Sequence, residues 1–298
     1  MAGQTSIRDR SLAKALSQTF QSRTIRERLG KLVVHAVLVI GAAILMTPLA
    51  WMLSTSLKPL GKVFFFPPEW IPNPPLWSNY VEVFQVVPFA RYVFNTATIT
   101  LFDVVGKVIS CSLVAFSFAR LRWRFRDALF VLMLATMMLP HQVTMIPQFV
   151  LYRHLGWIDT YLPLVLPNWF GGPFLTFLLR QFFMTIPLEL DDAARIDGAS
   201  IFGIYWRIML PLAKPAVAAV AIFMFNSAWN AFLLPLIYLH SREKYTIALG
   251  LRSFQDQYYT EWHLLMGASL IAMMPVLLIF FFAQKYFIQG IVFTGVKG

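Results

Sequence analysis

The chain has 298 residues, of which 58% are hydrophobic, 16% aromatic and only 13% charged, and its mean hydropathy is +0.64. That leaves too little polar surface to coat a water-soluble globule, so lipid must solvate most of the molecule. The formal charge of +11 comes from 25 Lys and Arg against 14 Asp and Glu; because the cations flank apolar stretches, membrane orientation explains them better than nucleic-acid binding.

Residues 1–32 form a basic leader, with Arg8, Arg10, Lys14, Arg23, Arg26, Arg28 and Lys31 against Asp9 and Glu27. An excess of cations beside a span favours the cytoplasmic side. Leu12, Leu16 and Phe20 repeat at helical spacing, as in a helix lying on anionic headgroups, although a disordered basic tail fits the short pattern equally well. The first apolar run, from about Val33 to Leu53, is of spanning length and lacks a small-residue cleavage pattern, so it is expected to stay as a signal anchor. Pro59, Pro67, Pro68, Pro72, Pro74 and Pro75 then forbid regular helix and predict an extended external loop.

A second span is predicted from about Val93 to Phe118, ending in Arg120, Arg122, Arg124 and Arg126, which place the following loop inside. A third, from about Ala128 to Ile146, leads to a fourth near Leu162 to Leu179. Pro163, Pro167, Gly171, Gly172 and Pro173 interrupt the fourth and predict a kinked or partly unwound helix. After a polar loop, a fifth span is expected from about Ala216 to Leu239 and a sixth from about Leu264 to Gln284, bringing both termini to the cytoplasmic side. Residues 33–298 then form one six-span, all-α domain, and no internal repeat is evident.

The polar loop at 187–211 carries the most information. Pro187 suits a first helical turn, and Glu189, Asp191 and Asp192 lie where the N-terminal dipole favours negative charge. A helix from about Leu188 to Ile196 should end at Gly198, whose freedom permits a tight reversal into a second helix, from about Ile201 to Met209, that stops at Leu210-Pro211. The tiny side chains of Ala193 and Ala194 would let a partner approach the backbone closely. The expected shape is a small helical knob on the inner membrane face.

Asp192-Ala193-Ala194, then Gly198, then Ile208 with Leu210-Pro211 after a fixed gap, resembles the EAA loop of ABC-importer permeases, with Asp where the motif usually has Glu. Asn95-Thr96, the Ala115 to Arg122 segment, Trp229-Asn230-Ala231-Phe232 with Pro235, and the terminal Gly295 to Gly298 are similar to the carbohydrate-uptake branch, and to the smaller permease subunit of maltose-type importers. The resemblance implies that Asp192, Ala193, Ala194, Gly198, Ile208, Leu210 and Pro211 form a coupling helix seated in a cleft of an ATPase subunit. It implies as partners a second permease in a heterodimer, two ATPase subunits and an external solute-binding protein. The location implied is the bacterial or archaeal cytoplasmic (inner) membrane, crossed several times. The chain contains no G-x-x-x-x-G-K-[ST] sequence, so ATP and Mg are expected on the separate ATPase chain.

Two polar pairs lie within spans. Asp103 and Lys107, at i and i+4 with the acid first, can pair on one face of span two. Unpaired at the bilayer centre each would cost about 2.5–3.5 kcal/mol, so they form either a neutralised structural pair or a polar face on the solute path. Asn226 and Asn230 share a face of span five beside Trp229; amides and an indole match sugar hydroxyls and C–H faces, while hydrogen bonding between helices is the structural alternative. The lone Cys111 and five scattered His residues offer no metal-ligand spacing, and no constellation suggests a catalytic site. The expected function is import of an oligosaccharide or sugar derivative by alternating access. Alternatives are an ABC permease for a non-sugar solute and, more distantly, an ion-coupled carrier, which the charged pair of span two would suit.

Overall fold

The computed structural model describes the backbone of residues 5–255 and 259–292, and side chains within 28–255 and 259–284. Among the described residues the regular structure is helical: α1 (Thr5–Ser56), α2 (Ser78–Val86), α3 (Phe89–Arg120), α4 (Arg126–Ala135), α5 (His141–His154), α6 (Leu162–Val165), α7 (Pro173–Thr185), α8 (Glu189–Ile196), α9 (Ile201–Ile204), α10 (Leu210–Leu212), α11 (Lys214–Trp229), α12 (Leu233–Tyr238), α13 (Ile247–Arg252) and α14 (Trp262–Val292). Four helical stretches are long and apolar enough to cross a membrane, and six if each of two sharply bent pairs counts as one span.

Helix α1 runs without interruption past residue 32 and through Pro48. The side chains of Leu12, Leu16 and Phe20 lie outside the described residues, as do those of Lys285 and Lys297 and the terminal 295–298 segment. Leu38, Ile44 and Leu45 stand exposed, as expected of a helix that turns one face to lipid, and α1 packs mainly on α14. Its C-terminal end is closed by Asn79 at the start of α2, whose Nδ2 donates to Ser56 O and Lys58 O, both at 2.9 Å. The proline-rich stretch after it holds one short 3-10 turn, Leu60–Lys62, and otherwise no regular helix before α2.

Helix α3 is the axis of the bundle and contacts α7 and α11 most extensively. Its C-terminal half packs Cys111, Ala115 and Phe116 against Leu179, Phe183, Tyr205 and Met209. At its N-terminal end, Phe89 and Tyr92 join Trp229, Ile247 and Leu264 in a second apolar cluster. Small residues let helices approach: an ideal Cβ on Gly250 would lie 2.2 Å from the ring of Tyr92.

Two predicted spans differ from straight helices. Span three divides into Arg126–Met138 and His141–His154, which meet at 96°. Pro140, with no N–H and extended dihedrals, cannot continue the first helix. Span five ends at Trp229 and not near Leu239; Asn230 caps it, and α12 begins separately at Leu233. Span four is broken as predicted, with a 3-10 turn at Leu166–Phe170 followed by Gly171 at φ 88°, although the helix then continues to Thr185.

Candidate functional site

The loop between α7 and α11 folds into the helical knob. Three carboxylates occupy the first turn of α8, and the helix ends in a Schellman arrangement: Ala199 N donates to Ala194 O at 2.9 Å and Gly198 N to Arg195 O at 3.0 Å. Gly198 has φ +78°, the left-handed geometry expected from its position. Ser200 Oγ then accepts from Gly203 N at 3.1 Å and caps α9. A π-helical turn, Tyr205–Met209, and α10 follow, and the chain bends by 79° into α11.

The predicted docking residues do not share one face. Asp192, Ala193 and Gly198 are exposed, with Asp192 4.0 Å from Arg195. Ala194 is buried in the core beside Leu179, Phe183 and Ile204, so it cannot offer a partner close approach as the sequence suggested. Ile208 and Leu210 are half-buried against that core; Pro211 is exposed at the bend. The second helix also does not stop at Leu210-Pro211: it turns at Ala213, one step after α10, because Pro211 is accommodated at the start of a new turn. Residues that the motif did not single out form the apolar exterior of the knob. Ile196 is 87% exposed, and Leu188, Ile201, Phe202 and Trp206 are also exposed.

Beneath the knob lies a polar junction that sequence reasoning divided between two unrelated roles. Arg120 closes α3, and its Nη2 donates to Phe183 O at 2.7 Å and Ile186 O at 2.6 Å, carbonyls at the end of α7. Its Nε lies 3.7 Å from Asp191 Oδ2 of α8, with the side chains 2% and 3% exposed. Burial pushes the Asp191 carboxyl above its ordinary value, and the guanidinium opposes that shift. Farther up α3, Ser112 Oγ and Tyr205 OH are 2.8 Å apart, joining the π turn to span two. The 71 residues separating Arg120 from Asp191 leave no local pattern from which to foresee their contact.

Inside the membrane, Asp103 and Lys107 do not form the expected ion pair. Lys107 Nζ donates to Gly171 O at 2.8 Å, serving a carbonyl freed by the break in span four. Asp103 is buried with the amide of Asn168 beside it. Ser110 Oγ also reaches Asn168 O, and Trp169 sits over Gly106, where an ideal Cβ would be 2.4 Å from the ring. Together these contacts hold the unwound stretch onto α3. Asn226 and Asn230 are exposed, and Asn230 Nδ2 donates to Asn226 O at 2.8 Å and Asn226 Oδ1 at 3.0 Å. Trp229 is turned away from that face: it is buried, stacks on Phe225 and donates Nε1 to Ala272 O of α14 at 2.9 Å. The shared amide–indole face drawn from the sequence is therefore absent, because adjacent helical positions point about 100° apart.

An apolar groove of about 730 Å³ runs between α3 and α11, lined by Val104, Val108, Tyr205, Pro211 and Val217 among others. Asp159 binds the loop after α12: its Oδ1 accepts from His240 N and Ser241 N at 2.9 Å, and Lys244 Nζ lies 3.0 Å from Oδ2. Burial disfavours that charge, but the bonds from Ser241, His240 and Lys244 outweigh it and hold the carboxyl well below the usual range. Asn95 and Thr96 secure the same region, the first donating to Glu243 O and Tyr245 O, the second accepting from Ile247 N. Among the described residues no group of three His, Cys, Asp or Glu could hold a metal.

A family model described as "Binding-protein-dependent transport system inner membrane component" matches residues 111–292. Over 254 residues the chain is 37% identical to the arabinooligosaccharides transport system permease protein AraQ of Bacillus subtilis (strain 168), covering 84% of this chain and 90% of that protein. It is 33% identical over 275 residues to the sn-glycerol-3-phosphate transport system permease protein UgpE of Rhizobium meliloti (strain 1021), covering 89% and 97%. In the crystal structure of a bacterial ABC transporter involved in the import of the acidic polysaccharide alginate, one chain superposes with a TM-score of 0.78 at 25% identity, covering 87% of this chain and 97% of that one.

Proposed function

The chain belongs to the family of binding-protein-dependent transport system inner membrane components, and from that premise we propose that it carries an oligosaccharide or sugar derivative across the cytoplasmic membrane as one permease of an ATP-driven importer. The observation that carries the coupling role is the knob at 187–211: a capped, acidic helix, reversed at a left-handed glycine, whose exposed side includes Ala193 and Ile196. Ala193, Ile196 and the left-handed turn form the face that enters the ATPase cleft, while Ala194, Ile208 and Leu210 hold the knob to the bundle. ATP and Mg belong to that ATPase, present in two copies, and a second permease completes the pathway.

The sugar class is supported by the relative that is a permease for arabinooligosaccharides, while the relative for sn-glycerol 3-phosphate, a polyol phosphate, favours a small polyhydroxylated solute more broadly. An external solute-binding protein delivers the solute, in keeping with the binding-protein-dependent family to which the chain belongs. Both termini are cytoplasmic, residues 1–32 form a basic segment beside the single domain of 33–298, and Asn226 and Asn230 line the solute path. Lys107, committed to Gly171 O, serves the broken span and not an acidic solute.

The test replaces Ala193 with Trp in the assembled complex. Arabino-oligosaccharides, sn-glycerol 3-phosphate and alginate oligosaccharides are offered with the binding protein, and stimulated ATP hydrolysis and uptake are read in reconstituted vesicles. The wild type should respond to at least one saccharide, and Ala193→Trp should abolish both signals while the spans insert normally. Wild-type activity in the tryptophan variant would remove the docking role, since an indole cannot occupy a close-packed cleft.

A further inference from the structure

We propose that Arg120 and Asp191 form a positioning latch that converts displacement of the knob into movement of the cytoplasmic ends of α3 and α7. Arg120 is the last residue of α3, and its planar guanidinium offers five donors in a fixed fork. Two contacts from one nitrogen fasten the carbonyl end of α7. The remaining edge, at Nε, faces the carboxylate of α8. A single side chain thus joins three elements, and one of them carries the ATPase-facing surface.

The junction is built but not closed. At 3.7 Å the Nε to Oδ2 separation is an ion pair and too long for a hydrogen bond. Among the described residues, Arg120 Nε and Asp191 Oδ1 have no hydrogen-bond partner despite their burial. Buried charges left partly satisfied favour any movement that completes their bonds. Room for such movement exists, because a cleft of about 580 Å³ lies between α8 and the segment after α3, lined by Arg120, Arg122, Trp123, Asp191 and Arg195. A push on the exposed side of α8 that shortens the gap closes the hydrogen bond and pulls on α3 and α7 together.

The latch presupposes the docking role proposed above, and one experiment separates the two. Hydrogen exchange is followed in the complete complex, with and without Mg and a non-hydrolysable ATP analogue, in the wild type, Asp191→Asn and Asp191→Glu. In the wild type, nucleotide should slow exchange about tenfold in α8 and also in residues 116–120 and 182–186. Asp191→Asn should keep the change in α8 and lose it at the other two segments, and Asp191→Glu should restore it there. Three results would overturn the latch: all three segments responding in Asp191→Asn as in the wild type, no recovery in Asp191→Glu, or failure of both variants to assemble, which would make the pair a structural anchor only. Absence of any nucleotide effect on wild-type α8 would instead remove the docking role on which the latch stands.

Discussion

Gly198 allows the cost of disturbing the knob to be isolated from packing. Its φ is +78° and an ideal Cβ placed on it meets nothing within 4 Å, so a larger residue fits sterically and the penalty is purely conformational. Holding an ordinary L-residue in that region costs about 1–2 kcal/mol, and a β-branched residue more. Relaxing the turn offers no escape, since it sacrifices the bonds from Gly198 N and Ala199 N that close α8, each worth about 0.5–1.5 kcal/mol net. If only the native turn docks, Gly198→Ala should weaken ATPase binding by a factor of roughly 5–30, Gly198→Val should weaken it further, and Gly198→Asn, a residue that tolerates left-handed geometry, should lie closest to wild type. The assay is titration of the purified ATPase against the permease pair in nanodiscs, with circular dichroism to verify intact spans. Equal affinities across the series, or an Asn variant as weak as the Val one, would refute the dependence on this turn.

Gly250→Ala should destabilise the complex by about 1–3 kcal/mol, read as a lowered thermal midpoint, because its Cβ would meet the ring of fully buried Tyr92 at 2.2 Å; Gly61→Ala, in open space, is the control. Asn226→Leu or Asn230→Leu should lower uptake at unchanged assembly yield, since the two amides bond each other within one helix; loss of assembly would make them structural. The low proton affinity of Asp159 gives the loop after α12 a contribution to stability that is fully present above the usual carboxylate range near pH 4 and is lost as pH falls below it. Protease resistance of residues 240–255 should therefore hold from pH 7 to pH 5, and Asp159→Asn should be cut faster throughout; equal rates would discount the network.

The spans, the knob and its left-handed turn were legible because each depends on local chemistry. Apolar length reports lipid, since unsatisfied backbone cannot cross a membrane except as helix or closed barrel. A Gly placed just after a helix with an acidic start reports a turn. The break in span four was legible for the same reason, as its prolines and glycines lie within a few residues of one another. Span five was overextended because hydropathy continues past Trp229 into Leu233–Tyr238, and nothing in composition marks where a helix stops being continuous.

What the sequence determined by itself was therefore the medium of each segment and the local geometry of the 187–211 loop. Tertiary structure decided direction and partnership. Ala193 and Ala194 are chemically identical, and only the packing of α8 on Leu179, Phe183 and Ile204 turns one outward and buries the other. Asp103 and Lys107 fit a helical ion pair by spacing, yet the freed carbonyl of Gly171 captured the lysine. Arg120 looked like one of four orienting cations until the fold placed it against Asp191 and the end of α7. The physical reason is that partners are set by how the helices assemble: neighbouring positions of α8 differ only in which one faces the bundle, and within the spans, where packed and exposed faces are both apolar, polar groups settle on whichever partner the bundle brings within reach.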